Sequence, residues 1–168
     1  MKTIETPRLL LRPFTLDDID ASIELNSDPK VMQYIVGEGE PTRENVRSLI
    51  EDRTLLDYEK YGYGRHAIVH KADNRMIGFT GLKYLDDLKE VDVGYRLHSD
   101  YWRQGLAYEA TQPTVDWGFN ELGLKRIVAG ALPGNAASIA LMKKLGMHFE
   151  KTFLEEGHEM VMYAIEKP

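Results

Sequence analysis

The pattern of the chain predicts one α/β (α+β) domain, with helices packed on a mixed sheet. Its 168 residues suffice for one sizeable core and are short for two. Short runs that alternate apolar and polar residues are interleaved with longer runs at helical spacing, in the order strand, helices, three strands, helix, strand, helix, two strands. No repeat, low-complexity tract or long like-charge run interrupts that order, so the domain is expected to span residues 1–168.

Taken in order, "TIETPRLLLRPF" reads as a strand, and Thr15 with Asp17 and Asp18 reads as the start of a helix running to about Asn26. "SDPKVMQYI" predicts a second short helical piece. After the loop "VGEGEPT", Thr42 and Asn45 precede an amphipathic stretch over 43–61, with Val46, Leu49, Ile50, Arg53 and Leu56 at helical spacing. The period then changes to two in "RHAIVHK", "RMIGFTGLKYL" and "EVDVGYRL", whose short polar connections "ADN" and "DDLK" predict a meander. A helix over 106–122 contains Pro113, where a missing backbone donor predicts a kink or a boundary. The strand "RIVAGAL", a helix over 136–145 stopped by Gly146, and the strands "MHFEKTFLE" and "HEMVMYAIE" close the chain.

Composition narrows the function. A net charge of −6 without a Lys/Arg stripe argues against nucleic acid and favours the approach of cationic molecules. The absence of cysteine removes disulfides, thiolate metal sites and a cysteine nucleophile. Leu9, Leu10 and Leu11, between Arg8 and Arg12, are too short a run for a leader or a membrane span, so a soluble cytoplasmic protein with no membrane partner is expected.

The most informative stretch is "YWRQGLAYEA". Gly105 lets backbone N–H groups approach a ligand closely, and a helix starting near Leu106 adds its unpaired donors and the positive end of its dipole. Arg103 and Gln104 supply further donors. Such a turn suits a phosphate or pyrophosphate; the alternative is an ordinary turn between a strand and a helix.

"VGYRLHSDYWRQGLAYEA" resembles the acetyl-CoA-binding signature of the GNAT superfamily of N-acetyltransferases, usually Gln/Arg-x-x-Gly-x-Gly/Ala. Gly105 and Ala107 match its last two fixed places, and Trp102 stands at the first, as it does in the ribosomal-protein (RimJ/RimL-like) branch. "ETPRLLLRPFTLDDID", "SDPKVMQYI" and "NAASIALMKKLGM" resemble the same branch, so the likeness covers nearly the whole chain. It implies a mostly antiparallel mixed sheet, splayed after its fourth strand, with helices on both faces and acetyl-CoA as co-substrate in the splay. It further implies that the backbone of Tyr95, Arg96 and Leu97 pairs with the pantetheine arm. The amides of Arg103, Gln104, Gly105, Leu106 and Ala107 would hold the pyrophosphate, so the turn is bare for contact with coenzyme A.

Attack of an amine on a thioester needs a proton acceptor, and the departing thiolate accepts a proton. Strand alternation puts Glu90, Asp92 and Gly94 on one face of "EVDVGYRL", which makes the two carboxylates base candidates, Asp92 first because an acidic residue of this strand often serves so in GNAT enzymes. Solvated carboxylates on an exposed face are the alternative. Asn135 reads as the N-cap of the helix after it, and the resemblance adds a cofactor contact. Ser138, Leu141, Met142 and Leu145 form an apolar stripe in which Ser138 reads as a small packed residue. The resemblance gives Ser138 instead a part in thiolate protonation or cofactor contact; Met142 stands where many GNAT enzymes carry a tyrosine acid. Lys143 lies off the stripe, either solvated or near the cofactor's terminal phosphate. Glu38 and Glu40, and Glu155, Glu156 and His158, lie in segments that flank the acceptor groove of GNAT folds.

"GYGRHA" stands in the wrong order, after a helix and before a strand, for a dinucleotide fingerprint, and His66 with His70 lacks a third ligand, so no metal is expected. The sequence thus predicts direct transfer of an acetyl group from acetyl-CoA to a primary amine, on a protein N-terminus or a small molecule. A noncatalytic acyl-CoA-binding module is the alternative, and self-association of some relatives leaves a homodimer open.

Overall fold

A computed structural model describes residues 1–167. Eight strands form one sheet in the order β1-β2-β3-β4-β5-β6-β8-β7. They are β1 (Ile4–Glu5), β2 (Leu9–Pro13), β3 (Arg65–His70), β4 (Arg75–Leu85), β5 (Glu90–Leu97), β6 (Arg126–Ala131), β7 (His148–Glu155) and β8 (His158–Glu166). The expected mixed, mostly antiparallel sheet is present, and β5 with β6 is its parallel pair. The strand expected at the start is two strands. Pro7 lacks the N–H a ladder needs, and the chain folds back there, with Thr6 N–H on the Leu9 carbonyl at 2.9 Å and Leu9 N–H on Thr6 Oγ1 at 3.1 Å.

Helices cover both faces, as adjacent positions on β3 show. Ala67 packs with Phe14, Ile19, Val46 and Ile50, under α1 (Ile19–Ser27) and α3 (Arg43–Leu49). Ile68, pointing the other way, packs with Leu97, Leu106 and Ala110 under α5 (Leu106–Asn120). A larger core joins α5 to α6 (Ala136–Lys144) through Val93, Val115, Trp117, Ile127, Met142 and Leu145. A short α2 (Pro29–Met32) follows α1. The amphipathic stretch 43–61 starts on the Thr42 cap, whose hydroxyl accepts from Asn45 N–H at 3.2 Å, and continues from α3 through a π-helical segment, Ile50–Leu55, into α4 (Leu56–Tyr61). Glycine at position 62, with φ of +74°, ends it.

Of the kink or boundary expected at Pro113, the boundary is absent, for α5 runs through it. Proline removes one ladder bond, to the Glu109 carbonyl, while Ala110, Thr111, Thr114 and Val115 around it are all buried against the core. The burial of that face outweighs a single lost bond. α5 ends at Asn120, two residues before the expected end, where Leu122 N–H turns back onto the Trp117 carbonyl.

The sheet opens between β5 and β6. β5 is paired along its full length with β4, from Gly78 opposite Leu97 to Leu85 opposite Glu90, yet it meets β6 at one residue pair, Asp92 opposite Val128. Beyond Asp92 the two strands diverge, as a splay after the fourth expected strand requires.

Candidate active site

A cavity of about 400 Å³ occupies the splay. Val93, Gly94 and Tyr95 line it from β5, Ala129 and Gly130 from β6, and Ser138 from α6. A strand edge without a neighbour presents backbone N–H and C=O groups at regular spacing. That edge fits an extended ligand with amide groups of its own, as the pantetheine arm has. Arg96 and Leu97 continue it, but the Arg96 side chain is engaged by Glu38 and the Leu97 carbonyl already accepts from the Trp102 indole at 2.8 Å. Trp102 thereby fastens the end of β5 to the turn that follows.

That turn is built as a backbone surface. Arg103 and Gly105 have φ of +60° and +77°, and Gly105 is the N-cap of α5 without a side-chain cap. A Cβ on Gly105 would meet nothing closer than Arg8 Nη2 at 3.7 Å, so left-handed backbone, not crowding, is what selects glycine here. The Leu106 side chain is buried and that of Ala107 packs on the core, which leaves their amides as the first-turn donors. Gln104 Nε2 donates to the Asp100 carbonyl at 3.2 Å, while the Arg103 side chain is exposed. Arg8 braces the turn, donating to the Gln104 carbonyl at 2.9 Å and to Glu109 Oε2 at 2.6 Å. Burial opposes the charge of Glu109, but hydrogen bonds from Thr6 and Arg8 outweigh it and hold the carboxyl below its ordinary range, which makes Glu109 a brace as well. Lys143 is exposed near the end of α6 and has no ion-pair partner among the described residues.

Glu90 and Asp92 share a strand face, yet the structure does not bring them together at the cavity. Glu90 accepts from Arg126 Nε at 3.0 Å, in a cluster where Arg126 also holds Glu150 and Glu166, and it lies outside the cavity lining. Of the two base candidates, Glu90 is thus engaged by the arginine of β6, away from the cavity. Asp92 does line the cavity, with its carboxylate held at Oδ2 by Arg65 Nη2 at 2.6 Å. Arg65 reaches it by lying across Gly94, where a Cβ would come within 2.5 Å of Nη2. Arg65 was not singled out by the sequence, since its partner is 27 residues away; the small residue two places after Asp92 on the same face was the available signal.

Around Asp92 the cavity wall is rich in charge. Glu155, from the β7–β8 hairpin, is pushed up by burial and then by the charges of Asp92 and Glu156. Asp57 of α4 is pushed up by burial. Glu38 of the loop before α3 makes a two-point ion pair with Arg96, at 2.7 and 2.9 Å, and Asn26 accepts from the same guanidinium at 2.6 Å. Glu38, Asp57, Asp92 and Glu155 all line the cavity.

On α6, Asn135 is the N-cap, its Oδ1 accepting from Ser138 N–H at 3.1 Å. Ser138 does not sit in a closed core: it lines the cavity, and Tyr95 Oη lies 2.9 Å from its Oγ. Met142 is 1% exposed and belongs to the core. His66 and His70 serve structure. His66 is buried, with Nε2 donating to the Lys2 carbonyl at 2.7 Å, and His70 pairs with Asp73.

The candidate site thus combines an open strand edge, a cavity through the splay and a bare helix-start turn. Residues 8–148 match the family model described as acetyltransferase (GNAT) domain. The chain is 33% identical over 160 residues to the uncharacterized N-acetyltransferase p20 of Bacillus licheniformis, a match covering 95% of this chain and 88% of that one. It is 31% identical to YoaA of Bacillus subtilis, over 98% and 97% of the two chains. A GNAT-family acetyltransferase from Bacillus anthracis superposes with a TM-score of 0.83 at 29% identity, covering 99% of each chain. The structure of RimL, the ribosomal L7/L12 α-N-protein acetyltransferase, in complex with coenzyme A shares the fold, with a TM-score of 0.83 at 20% identity over 98% of each chain. The chain belongs to the GNAT acetyltransferases, in the RimJ/RimL-type family, and is an N-acetyltransferase. Among the described residues no helix is long and apolar enough to cross a membrane.

Proposed function

We propose that one domain, spanning 1–168, transfers the acetyl group of acetyl-CoA directly to a primary amine, either the α-amine of a protein such as a ribosomal protein or the amine of a small molecule. The observation that carries this reading is the loss of β5–β6 pairing after Asp92, which leaves a cavity open through the sheet with α6 on one side and the charged acceptor face on the other. When bound, acetyl-CoA supplies a thioester carbonyl open to attack. The edge of Tyr95, Arg96 and Leu97 aligns its arm, and the amides of 103–107 with Arg103, and Lys143 at the end of α6, take its phosphates. Trp102 and Asn135 hold the two ends of that surface in place.

Asp92 accepts the amine proton, directly or through a water, and Arg65 fixes which of its oxygens is free to do so. Ser138 donates toward the leaving sulfur. Glu38, Asp57 and Glu155 give the acceptor mouth carboxylates that attract an ammonium group. A chain without cysteine has no thiol on which to store the acetyl group, which supports transfer within one complex of protein, acetyl-CoA and amine.

Calorimetric titration with acetyl-CoA, with dephospho-coenzyme A beside it, followed by a screen of amines and N-terminal peptides, tests the reading. One-site binding with acetylation of at least one amine is expected. Binding without turnover of any amine would leave an acyl-CoA-binding module; no binding by folded protein would overturn the site.

A further inference from the structure

Tyr95 enters the site twice. Its backbone belongs to the open edge of β5, and its ring carries a hydroxyl to the first turn of α6, where Oη lies 2.9 Å from Ser138 Oγ and 3.1 Å from the Ser138 carbonyl. A phenol has one hydrogen to give, and here two acceptors are within reach. If it donates to the carbonyl, it accepts from the serine hydroxyl. If it donates to Oγ, the serine hydrogen is free to point elsewhere. Ser138 is otherwise fixed through its amide by Asn135, so the choice rests with Tyr95. Both side chains line the cavity, as does Met142 one turn further along α6, a thioether with no hydrogen to donate.

We propose that Tyr95 is the positioning residue for the proton donor: as the carbon–sulfur bond breaks, its hydroxyl turns from the Ser138 carbonyl to Ser138 Oγ, which directs the serine hydrogen to the departing sulfur. The inference rests on the function proposed above. Sulfur keeps the bonding pair and takes the hydrogen of Ser138, the serine oxygen takes that of Tyr95, and water restores the phenol. The hydroxide so formed is neutralised by the proton the amine has released. Burial pushes the Tyr95 phenol up to about 12, with the charge of Asp92 on the same strand adding to the rise, so the relay is loaded at neutral pH. The serine bond acts in the opposite sense, and Lys143 is the charged residue α6 brings nearest in sequence to the relay.

The test needs no acceptor. Reduced coenzyme A is bound to the protein, and the ultraviolet absorbance of its thiolate is followed against pH. A donor aimed at sulfur stabilises the thiolate, so the bound thiol is expected to ionise at lower pH than the free one. Tyr95→Phe and Ser138→Ala are each expected to reverse this by about one pH unit, a tenfold change in the ionisation constant. The double variant should do no more than either alone, because the tyrosine acts through the serine. Calorimetric affinity for desulfo-coenzyme A should stay within about threefold of wild type in all of them. An unshifted thiol in wild type, a Tyr95→Phe protein that titrates like wild type, or additive effects would overturn the relay while leaving the cofactor site intact. Failure of wild type to bind coenzyme A would overturn the proposed function itself.

Discussion

On the proposed cofactor side of the splay the chain offers mostly backbone: the edge of β5 beyond Asp92 and the turn before α5. On the proposed acceptor side it offers side chains that answer one another over long stretches of chain, Arg65 to Asp92 and Arg96 to Glu38. A backbone site is specified by dihedral angles, which single residues impose locally. A side-chain site is specified by pairs, and each member depends on a partner far along the chain. The two halves should therefore fail differently when broken.

The largest effect is expected where a pair is broken. Arg65 and Asp92 are 18% and 14% exposed, so Arg65→Met leaves a carboxylate without its partner in a largely desolvated place. Removing one member of a buried pair costs about 3 kcal/mol, which for a chain of this size lowers the melting temperature by roughly 6 to 12 °C. Adding Asp92→Asn should recover most of that stability in scanning calorimetry, since a neutral pair carries no stranded charge. A double variant no more stable than Arg65→Met would show that Arg65 contributes by packing on Gly94 and Phe79 alone.

Next in size is the dihedral site. Gly105→Val places a β-branched residue at φ of +77°, at a cost of about 2 kcal/mol in left-handed backbone. The turn is expected to relax away from its anion-binding shape, weakening acetyl-CoA by roughly thirtyfold in calorimetry. The Michaelis constant of the amine should move little, because no acceptor-side pair touches the turn. Equal losses on both sides would mean that the turn and the acceptor face move together.

This contrast also explains what the sequence disclosed. The strands of the meander, the helix starts at Thr42 and Asn135 and the turn at Gly105 are local statements, and each lies close to where its residues predicted it. Pro7 and Pro113 act in opposite directions. Proline divided the first strand because a two-residue β1 has little burial to hold it in line, and it did not divide α5 because the buried face around it does. Glu90 and Asp92 look equivalent in "EVDVGYRL"; only the arrival of Arg126 from β6 and Arg65 from β3 separates them. The Tyr95 hydroxyl was hidden for the same reason, its partner being 43 residues away on another element.

The smallest expected effect is electrostatic, and it asks how far the acceptor side acts as one unit. Glu155 is pushed up first by burial and then by Asp92, so it holds its proton to higher pH than an ordinary glutamate. Asp92→Asn removes a negative charge from its surroundings and leaves Arg65 uncompensated; both changes favour the ionised form of Glu155. Its titration, followed by carboxyl carbon NMR, should therefore move to lower pH by a fraction of a unit, on the order of 1 kcal/mol or less, and Gly105→Val should leave it in place. The sign matters for function. A carboxyl raised in the folded protein attracts an ammonium group only above its own titration, so the acidic limb of amine capture should move down with Glu155 in the variant even as turnover falls with the loss of the proposed base. An unmoved Glu155 would leave burial and its neighbour Glu156 behind its shift and would make the β7–β8 hairpin a neighbour of the proposed acceptor face that takes no part in its charge.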